Sequence, residues 1–382
     1  MELHNGTKLQ GRIVYQDEAV LILRDGTKER TIPMKDVKLA VSRLGHQREA
    51  IERWLESKPE ETQGVRDLAQ YCKRVGLHDD ALLFQRFILC SAPEDEEAHL
   101  ALGHMRRANG WAERSAGKWT DWRKIESMRA SWKTPWELRS SHYRLRTNLP
   151  MSDAVRALLD LECLYFAFYD LFGAEMMLRE TVEPLEAHVH ADAESFPVAY
   201  VGRSAYFDAA IDRLVVDASK GIHRGLLFHE AVHQLLFNTA VETASSIGDL
   251  PAWLDEGLAE YMSWSMSGTA SRATFDEEAI ARNHFERHAA AIESIELERL
   301  LVFGTEDFLT PQSELKYAAA YTFVHFCLHG QGEKFRRRFF DFVRGAYKGQ
   351  GSPTHFKDAL ATPEDELERA WRAHVARGGG RR

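Results

Sequence analysis

The sequence of 382 residues predicts an α+β fold, and three observations support that prediction. Residues 1–41 form short runs of β-branched residues between turn signals. Residues 42–130 have the apolar spacing of helices, and residues 131–382 combine strand patterns with helix patterns. A chain of this length is expected to contain two or three structural units. The sequence therefore predicts three domains, with boundaries near residues 41 and 130.

The composition is typical of a globular protein. Hydrophobic residues make up 44% of the chain and charged residues 28%, which allows a sizeable core. A net charge of −9 argues against a surface that binds nucleic acid. No apolar run approaches the roughly 20 residues of a membrane span, and the sequence starts without a signal peptide. As written, the chain is expected to be cytoplasmic, with export of a longer precursor left open.

The first 41 residues are predicted to be β. Branched residues such as Ile13, Val20 and Ile32 fall in short runs, and Asn5-Gly6 and Asp25-Gly26 are tight-turn signals between them. Four or five strands of this length bury both faces only if they curl, which predicts a small barrel-like module. Such a module would either dock a partner protein or extend the packing of the segment that follows.

Residues 42–130 are predicted to be helical and resemble a short tetratricopeptide region. Leu68 and Gly76 recur 34 residues later as Leu102 and Gly110, and 34 residues is the tetratricopeptide period. About one and a half units are visible, whereas three are normally needed for stability. The repeat is therefore expected to pack on its neighbours, and peptide binding by it is the alternative.

Residues 131–382 are predicted to form a mixed sheet and then helices. Strands are expected at 136–149, 186–190 and 213–217, and a buried helix from Ser152 to Leu171. This order suits a mixed sheet with the next helix packed against it. Beyond residue 261, helices are expected at 275–293, 297–301, 315–326 and 333–375, with a loop at 303–311 and disorder at 378–382.

The most informative stretch is HEAVHQLLFN, residues 229–238, which lies in an apolar run. In a helix, His229 and His233 are four residues apart and project from one face, so both imidazoles can reach one ion. Glu230 lies about 100° further round the helix, where it can face a water on that ion without binding the ion itself. This arrangement is typical of a zinc hydrolase, and Zn²⁺ is the predicted cofactor.

A second helix is predicted in PAWLDEGLAEY, residues 251–261, and supplies a third ligand. Pro251 suits the first turn of a helix, and Glu256 and Glu260 are four residues apart on one face. A catalytic zinc needs three protein ligands and one open position. The two histidines and Glu256 would leave one positive charge at the site to acidify water, and Glu230 would act as the general base.

These two stretches resemble the gluzincins, the peptidase-MA-like zinc metallopeptidases, whose third ligand is the Glu of a W-L-x-E-G helix. They are most similar to an uncharacterised bacterial family with HExxHQLxFN and WLxEGLAEY motifs. The resemblance extends from about residue 135 to the C-terminus and implies a thermolysin-like metallopeptidase domain with a helical C-terminal part. It also implies zinc binding by His229, His233 and Glu256, with Glu230 as general base. The sequence lacks the Gly-x-Met-Glu-Asn strand of the aminopeptidases, which argues against that activity.

Four further residues are predicted to support the site. Glu260 is expected to accept the second N–H of a zinc-bound histidine, or else to lie on a solvated helix face. Asn238 is expected to fix the loop after the first helix. Related enzymes use a tyrosine at the start of a later helix to donate to the oxyanion. Tyr317 is the first candidate for that role and Tyr321 the second, with ordinary core packing as the alternative for both.

The predicted function is hydrolysis of peptide bonds in a peptide or protein substrate by a zinc metallopeptidase. The alternative is a binding or scaffold protein in which the metal domain is a relic and residues 1–130 bind a protein partner. The complete set of ligands together with Glu230 favours the enzyme, because a relic would be expected to lose its base first. Neither a nucleic-acid partner nor a membrane span is expected.

Overall fold

A computed structural model describes the chain except at residues 17–18, 40–42, 59–60, 116, 177, 182, 201–203, 244–249, 270–271, 293, 311 and 381–382. Helices and sheets both occur, which confirms the predicted mixture of α and β structure. The chain groups into two units. The first contains Met1–Ala167, Glu180–Leu227 and Gly268–Thr274, and the second contains Phe168–Arg179, Phe228–Ser267 and Phe275–Arg382. The predicted boundaries at residues 41 and 130 both lie inside the first unit, and the three-domain division stays a prediction.

The N-terminal segment is β, as predicted. Its strands are β1 (Glu2–Leu3), β2 (Arg12–Gln16), β3 (Val20–Asp25), β4 (Lys28–Pro33) and β5 (Val37–Leu39). Strands β2, β3 and β4 form one antiparallel sheet, and β1 pairs with β5. Gly26, with φ +59°, makes the two-residue turn between β3 and β4, in which Asp25 pairs with Lys28. Side chains of both sheets share one apolar core, but the hydrogen bonds of the described residues do not join the sheets into a closed barrel.

The next segment is only partly helical. Helices α1 (Arg43–Glu56), α2 (Thr62–Arg74), α3 (His78–Ser91) and α4 (Glu96–Ala101) are followed by strands β6 (Met105–Arg107), β7 (Gly110–Ser115) and β8 (Lys118–Asp121), and then by helix α5 (Trp122–Arg129). The helical prediction is therefore wrong for residues 105–121. Arg107 pairs with Gly110, so Ala108-Asn109 makes the two-residue turn between β6 and β7, and this hairpin outweighs the 34-residue spacing.

A five-stranded mixed sheet lies in the first unit. Its elements are β9 (Trp136–Arg139), β10 (Tyr143–Thr147), β11 (Leu185–His190), β12 (Ala205–Asp208) and β13 (Arg213–Asp217), with helix α6 (Met151–Phe168) after β10. The order is β12-β13-β11-β10-β9, and β10, β11 and β13 run parallel. The mixed sheet, α6 and the strands at 186–190 and 213–217 are confirmed.

Residues 136–149 form a hairpin and not the single strand that their alternation predicts. The turn is fixed by the buried carboxylate of Glu162, which accepts hydrogen bonds from the backbone N and the Nδ1 of His142, both at 2.7 Å. Because Glu162 lies on α6, this turn depends on a contact between residues 20 positions apart. Sequence periodicity does not reveal such a contact.

The second unit is mainly helical. After α6 come a π-helix (Tyr169–Gly173) and α7 (Ala174–Met176). The later elements are α8 (Arg224–Thr243), α9 (Ala252–Ser265), β14 (Met266–Thr269), β15 (Arg272–Phe275), α10 (Arg282–Ala290), α11 (Leu297–Leu301), α12 (Thr305–Phe308), α13 (Ser313–His329), α14 (Arg336–Ala346), α15 (Pro353–Leu360) and α16 (Glu364–Ala376). The first residues of α8, the end of β14 and most of β15 belong to the first unit. The helix predicted at 275–293 begins only at residue 282, and the loop predicted at 303–311 contains α12.

The disorder predicted for residues 378–382 is wrong where the chain is described. The backbone N–H groups of Gly378 and Gly379 donate to the carbonyls of Val375 and His374, which ends helix α16 in an ordered cap. Both glycines have positive φ, at +64° and +75°. Residues 381–382 lie outside the described residues. None of the described helices combines the length and the apolar character needed to cross a membrane.

Helix α9 packs closely on helix α13 at Gly257. A Cβ atom at this position would lie 2.7 Å from Cγ2 of Val324 and 2.8 Å from the backbone oxygen of Ala320. These separations are far shorter than van der Waals contact, so the two helices can lie this close only with glycine here. The packing thereby positions the predicted carboxylate ligand, which is the residue before Gly257.

Replacing Gly257 with alanine is expected to lower the free energy of unfolding by about 1–3 kcal/mol, the usual cost of overpacking a filled interface. Urea unfolding followed by circular dichroism measures this loss. Gly64→Ala in α2 is the matched control, because a Cβ there meets nothing within 4 Å. The control should be neutral or more stable by up to about 1 kcal/mol, since alanine has the higher helix propensity. Equal unfolding midpoints for G257A and the parent would contradict the close packing.

Candidate metal centre

Helix α8 holds two histidines that face one point. The Nε2 atoms of His229 and His233 lie 3.1 Å apart, because residues four apart lie one above the other on a helix. The other sides of the helix are buried by apolar residues, namely Leu227, Phe228, Ala231, Val232, Leu235 and Leu236. This apolar packing leaves His229 only 7% exposed. The two imidazoles are therefore brought together as the motif predicts.

Helix α9 adds a carboxylate to this pair. Oε2 of Glu256 lies 3.1 Å from Nε2 of His229 and 3.4 Å from Nε2 of His233. The three atoms thus form a nearly equilateral triangle. Among the described residues, these three side chains form the cluster that could hold a metal ion.

The size of this triangle fits zinc. Zinc bonds of about 2.0–2.2 Å in tetrahedral geometry separate any two ligand atoms by about 3.3–3.6 Å. The separations here, 3.1 to 3.4 Å, differ from that range by a few tenths of an ångström at most. Two imidazole nitrogens and one carboxylate are also a donor set of catalytic zinc, which leaves a fourth position for water or substrate.

Two carboxylates lie behind the histidines. Oε1 of Glu260 is 3.0 Å from Nδ1 of His229. Oδ2 of Asp255 is 3.0 Å from Nδ1 of His233, at hydrogen-bond distance although without hydrogen-bond alignment. Each carboxylate favours a proton on Nδ1, so each neutral ring turns the lone pair of its Nε2 toward Glu256. In that state all three converging atoms are acceptors, and positive charge between them, from a metal ion or from protons on the imidazoles, offsets their mutual repulsion.

Glu260 is also held from its other side. Its Oε2 accepts hydrogen bonds from Nε2 of His284, at 2.6 Å, and from Nε1 of Trp264, at 3.0 Å. Glu260 therefore does not lie on a solvated helix face, which was the alternative for this residue. Sequence reasoning missed Asp255, Trp264 and His284. Asp255 had a signal, since it precedes a predicted ligand, whereas His284 stands 24 residues beyond Glu260 without a motif.

Glu230 and Asn238 both lie on helix α8. Glu230 follows the first histidine and is half-buried, which agrees with a position beside the ligands and not among them. Nδ2 of Asn238 donates to the backbone oxygen of Gln234 at 3.0 Å. Because α8 continues to Thr243, Asn238 lies inside the helix, and the following loop that it is expected to fix, residues 244–249, lies outside the described residues.

The structure separates the two candidate tyrosines. The ring of Tyr317 packs edge-on against His229, with centroids 5.9 Å apart, and it is half-buried. Tyr321 is fully buried, and its hydroxyl accepts a hydrogen bond from the backbone N of Ala281 at 2.9 Å. Tyr317 thus lies beside a candidate ligand, whereas Tyr321 belongs to the core.

Residues 225–345 match a family model described as a protein of unknown function, DUF1570. The matched segment begins in α8, ends in α14 and contains the three candidate ligands, Glu230 and Tyr317. It spans less than half of the chain. No curated protein matches the chain. The family description carries no activity, so the chemistry of this centre rests on its geometry.

The charged groups of the metal centre shift the pKa values of its three candidate ligands. Burial alone would lower the pKa of His229 and of His233, but the adjacent carboxylates outweigh burial and raise both pKa values. Burial alone would raise the pKa of Glu256, but the two histidines outweigh it and lower that pKa. The centre therefore stabilises positive charge beside Glu256. A divalent cation supplies such charge and displaces the protons of the histidines.

Proposed function

We propose that this chain is a zinc-dependent hydrolase of the gluzincin type that cleaves peptide bonds. The observation that supports it is the convergence of three acceptor atoms, from His229, His233 and Glu256, at separations suited to zinc. The choice of peptide bonds rests on the resemblance of the two motif helices to gluzincins. A peptide or protein is accordingly the proposed substrate.

The donor set suits a catalytic centre better than a structural one. Three protein ligands leave one position open, whereas structural zinc is enclosed by four. The set carries a single negative charge, so half of the charge of a divalent cation stays uncompensated. When bound, zinc lowers the pKa of a coordinated water to about 7 and polarises a carbonyl oxygen.

Glu230 is proposed to move the proton. Its carboxylate takes one proton from the attacking water as the new C–O bond forms. It then passes that proton to the amide nitrogen as the C–N bond breaks, so that a neutral amine leaves. Glu260 and Asp255 keep the two imidazoles oriented, because each lies 3.0 Å from the Nδ1 of one histidine.

Tyr317 is proposed to donate a hydrogen bond to the oxyanion. Replacing Tyr317 with phenylalanine is then expected to lower kcat by about 10²–10³-fold, the usual effect of removing one oxyanion donor, with little change in zinc content. Tyr321→Phe is the matched control, since its hydroxyl bonds to the backbone of Ala281. The control should lose stability and keep its rate per folded molecule. Equal kcat values for Tyr317→Phe and the parent would remove Tyr317 from the mechanism.

The proposal is tested by metal analysis and peptide cleavage on one preparation. We expect one zinc per chain and cleavage of a proteome-derived peptide library that stops on chelation and returns with zinc. Cleavage that persists after complete chelation, or a chain that binds no zinc, would refute the proposal. Zinc binding without any cleavage, together with a partner bound through residues 1–130, would favour the scaffold alternative.

A further inference from the structure

A second candidate site lies in the first unit, apart from the residues of the metal centre. It is a cavity of about 550 Å³, within the usual range of small-molecule sites. Its polar lining comes from Arg12 of β2, Arg43 and Gln47 of α1, Ser141 and Glu180. Ile13 and Leu23, from the core of the N-terminal strands, add an apolar wall. The cavity thus combines charged, amide and apolar groups.

Two of these polar side chains belong to largely buried residues, and their polar atoms open to the cavity. Gln47 and Glu180 are each only 8% exposed, and neither side chain makes a hydrogen bond within the described part of the chain. Buried polar groups are almost always hydrogen-bonded, to protein, water or a ligand. Since both side chains line the cavity, a molecule in the cavity can supply the missing partners.

The cavity lining has a positive and a negative side chain, which favours a ligand with both a negative and a positive group. Arg43 makes no ion pair with the described residues, so its guanidinium is available to a carboxylate. Glu180 offers an acceptor to a donor such as an ammonium group. The hydroxyl of Ser141 donates to Oδ2 of Asp80 at 2.5 Å, which leaves its oxygen as a further acceptor.

Burial and nearby positive charges act in opposite directions on the pKa of Glu180. Burial raises the pKa of its carboxyl to about 7, and Arg12, Arg48 and His142 oppose that shift. Arg12 is engaged in part, since its Nη2 donates to the backbone oxygen of Thr181 at 2.7 Å. An ammonium group beside Glu180 would stabilise the ionised carboxylate.

We propose that this cavity binds a small zwitterion, an α-amino acid or a short peptide with free termini, with its carboxylate on Arg43 and its ammonium group on Glu180. The amide of Gln47 can donate to the carboxylate or accept from the ammonium group. The apolar wall receives a side chain. This inference is independent of the proposed hydrolase, because no residue of the metal centre takes part.

Isothermal calorimetry on the full, chelator-treated chain tests the proposal, and chelation excludes binding of the ligands through a metal ion. The probes are glycine, leucine and diglycine, each with its N-acetylated and its C-amidated analogue. We expect at least one free zwitterion to bind, and both of its blocked analogues to bind at least about tenfold more weakly, since each lacks one charged contact. If no zwitterion binds at millimolar concentration, or if the blocked analogues bind equally well, the proposal is overturned.

Matched variants locate the binding. Glu180→Gln and Arg43→Met should each lower the affinity for the zwitterion by at least about tenfold. Glu183→Gln is the control, because Glu183 is close in sequence but exposed, and it does not line the cavity. Melting temperatures near that of the parent establish that each variant folds. Unchanged affinity in both folded cavity variants would place the zwitterion elsewhere and overturn the proposal.

Discussion

Replacing Glu230 with glutamine is expected to lower kcat for peptide cleavage by about 10²–10⁴-fold, the usual contribution of a general base. Glutamine keeps the size and shape of the side chain but takes up no proton near neutral pH. Zinc content should equal that of the parent, since Glu230 is outside the triangle of candidate ligands. Steady-state kinetics with a cleaved library peptide, and metal analysis of the same sample, measure both quantities.

The comparison needs a control of the same chemistry. Glu286→Gln on helix α10 removes an exposed carboxylate of the second unit and should leave both zinc content and kcat unchanged. Full activity of Glu230→Gln with zinc bound would show that another group moves the proton. Loss of zinc from Glu230→Gln would show that Glu230 acts as a ligand, which the proposed mechanism does not allow.

Replacing Glu256 with glutamine is expected to weaken zinc binding by more than about 100-fold and to abolish cleavage at limiting zinc. Changing a group that only supports a metal ligand already costs about 10–100-fold in affinity, so loss of a charged ligand should cost more. The amide oxygen of glutamine also leaves the full charge of the cation uncompensated. Competition with a chromophoric chelator gives the affinities of the parent, Glu256→Gln and the Glu286→Gln control.

The fold of Glu256→Gln should persist, because the packing of α9 on α13 depends on its neighbour Gly257. A melting temperature measured without zinc separates weak metal binding from unfolding. Zinc affinity equal to that of the parent in a folded Glu256→Gln variant would remove Glu256 from the ligand set. The hydrolase proposal would then lack its third ligand.

Much of the secondary structure could be predicted because its signals are local. The strand at 185–190 alternates apolar and polar residues, the strand at 213–217 has an apolar centre, and α8 and α9 are continuous helical patterns. The secondary-structure predictions fail where two sequence signals favour different structures, or where a contact with a residue distant in sequence determines the structure. A hairpin that turns at Ala108-Asn109 lies inside an apparent helical repeat, and Glu162 fixes a turn inside an apparent single strand.

The groups that support the metal centre also divide into those predicted from local sequence and those that depend on distant contacts. Glu260 was predicted because it stands one turn beyond Glu256, and its 3.0 Å approach to His229 agrees with that expectation. His284 was not predicted, because helix α10 brings it to Glu260 from a distant part of the chain. The sequence ranks Tyr317 before Tyr321 but leaves core packing as the alternative for both. Only the burial of Tyr321 and the contact of Tyr317 with His229 distinguish them.

The sequence by itself determined that His229, Glu230 and His233 share one helix in fixed relative positions, because the period of the α-helix is a local property of the backbone. It could name Glu256 as a partner but could not place it. Only the tertiary structure brought its carboxylate within 3.4 Å of both imidazoles. The physical reason is side-chain packing between helices that are distant in sequence, in which the absent Cβ of Gly257 lets α9 approach α13.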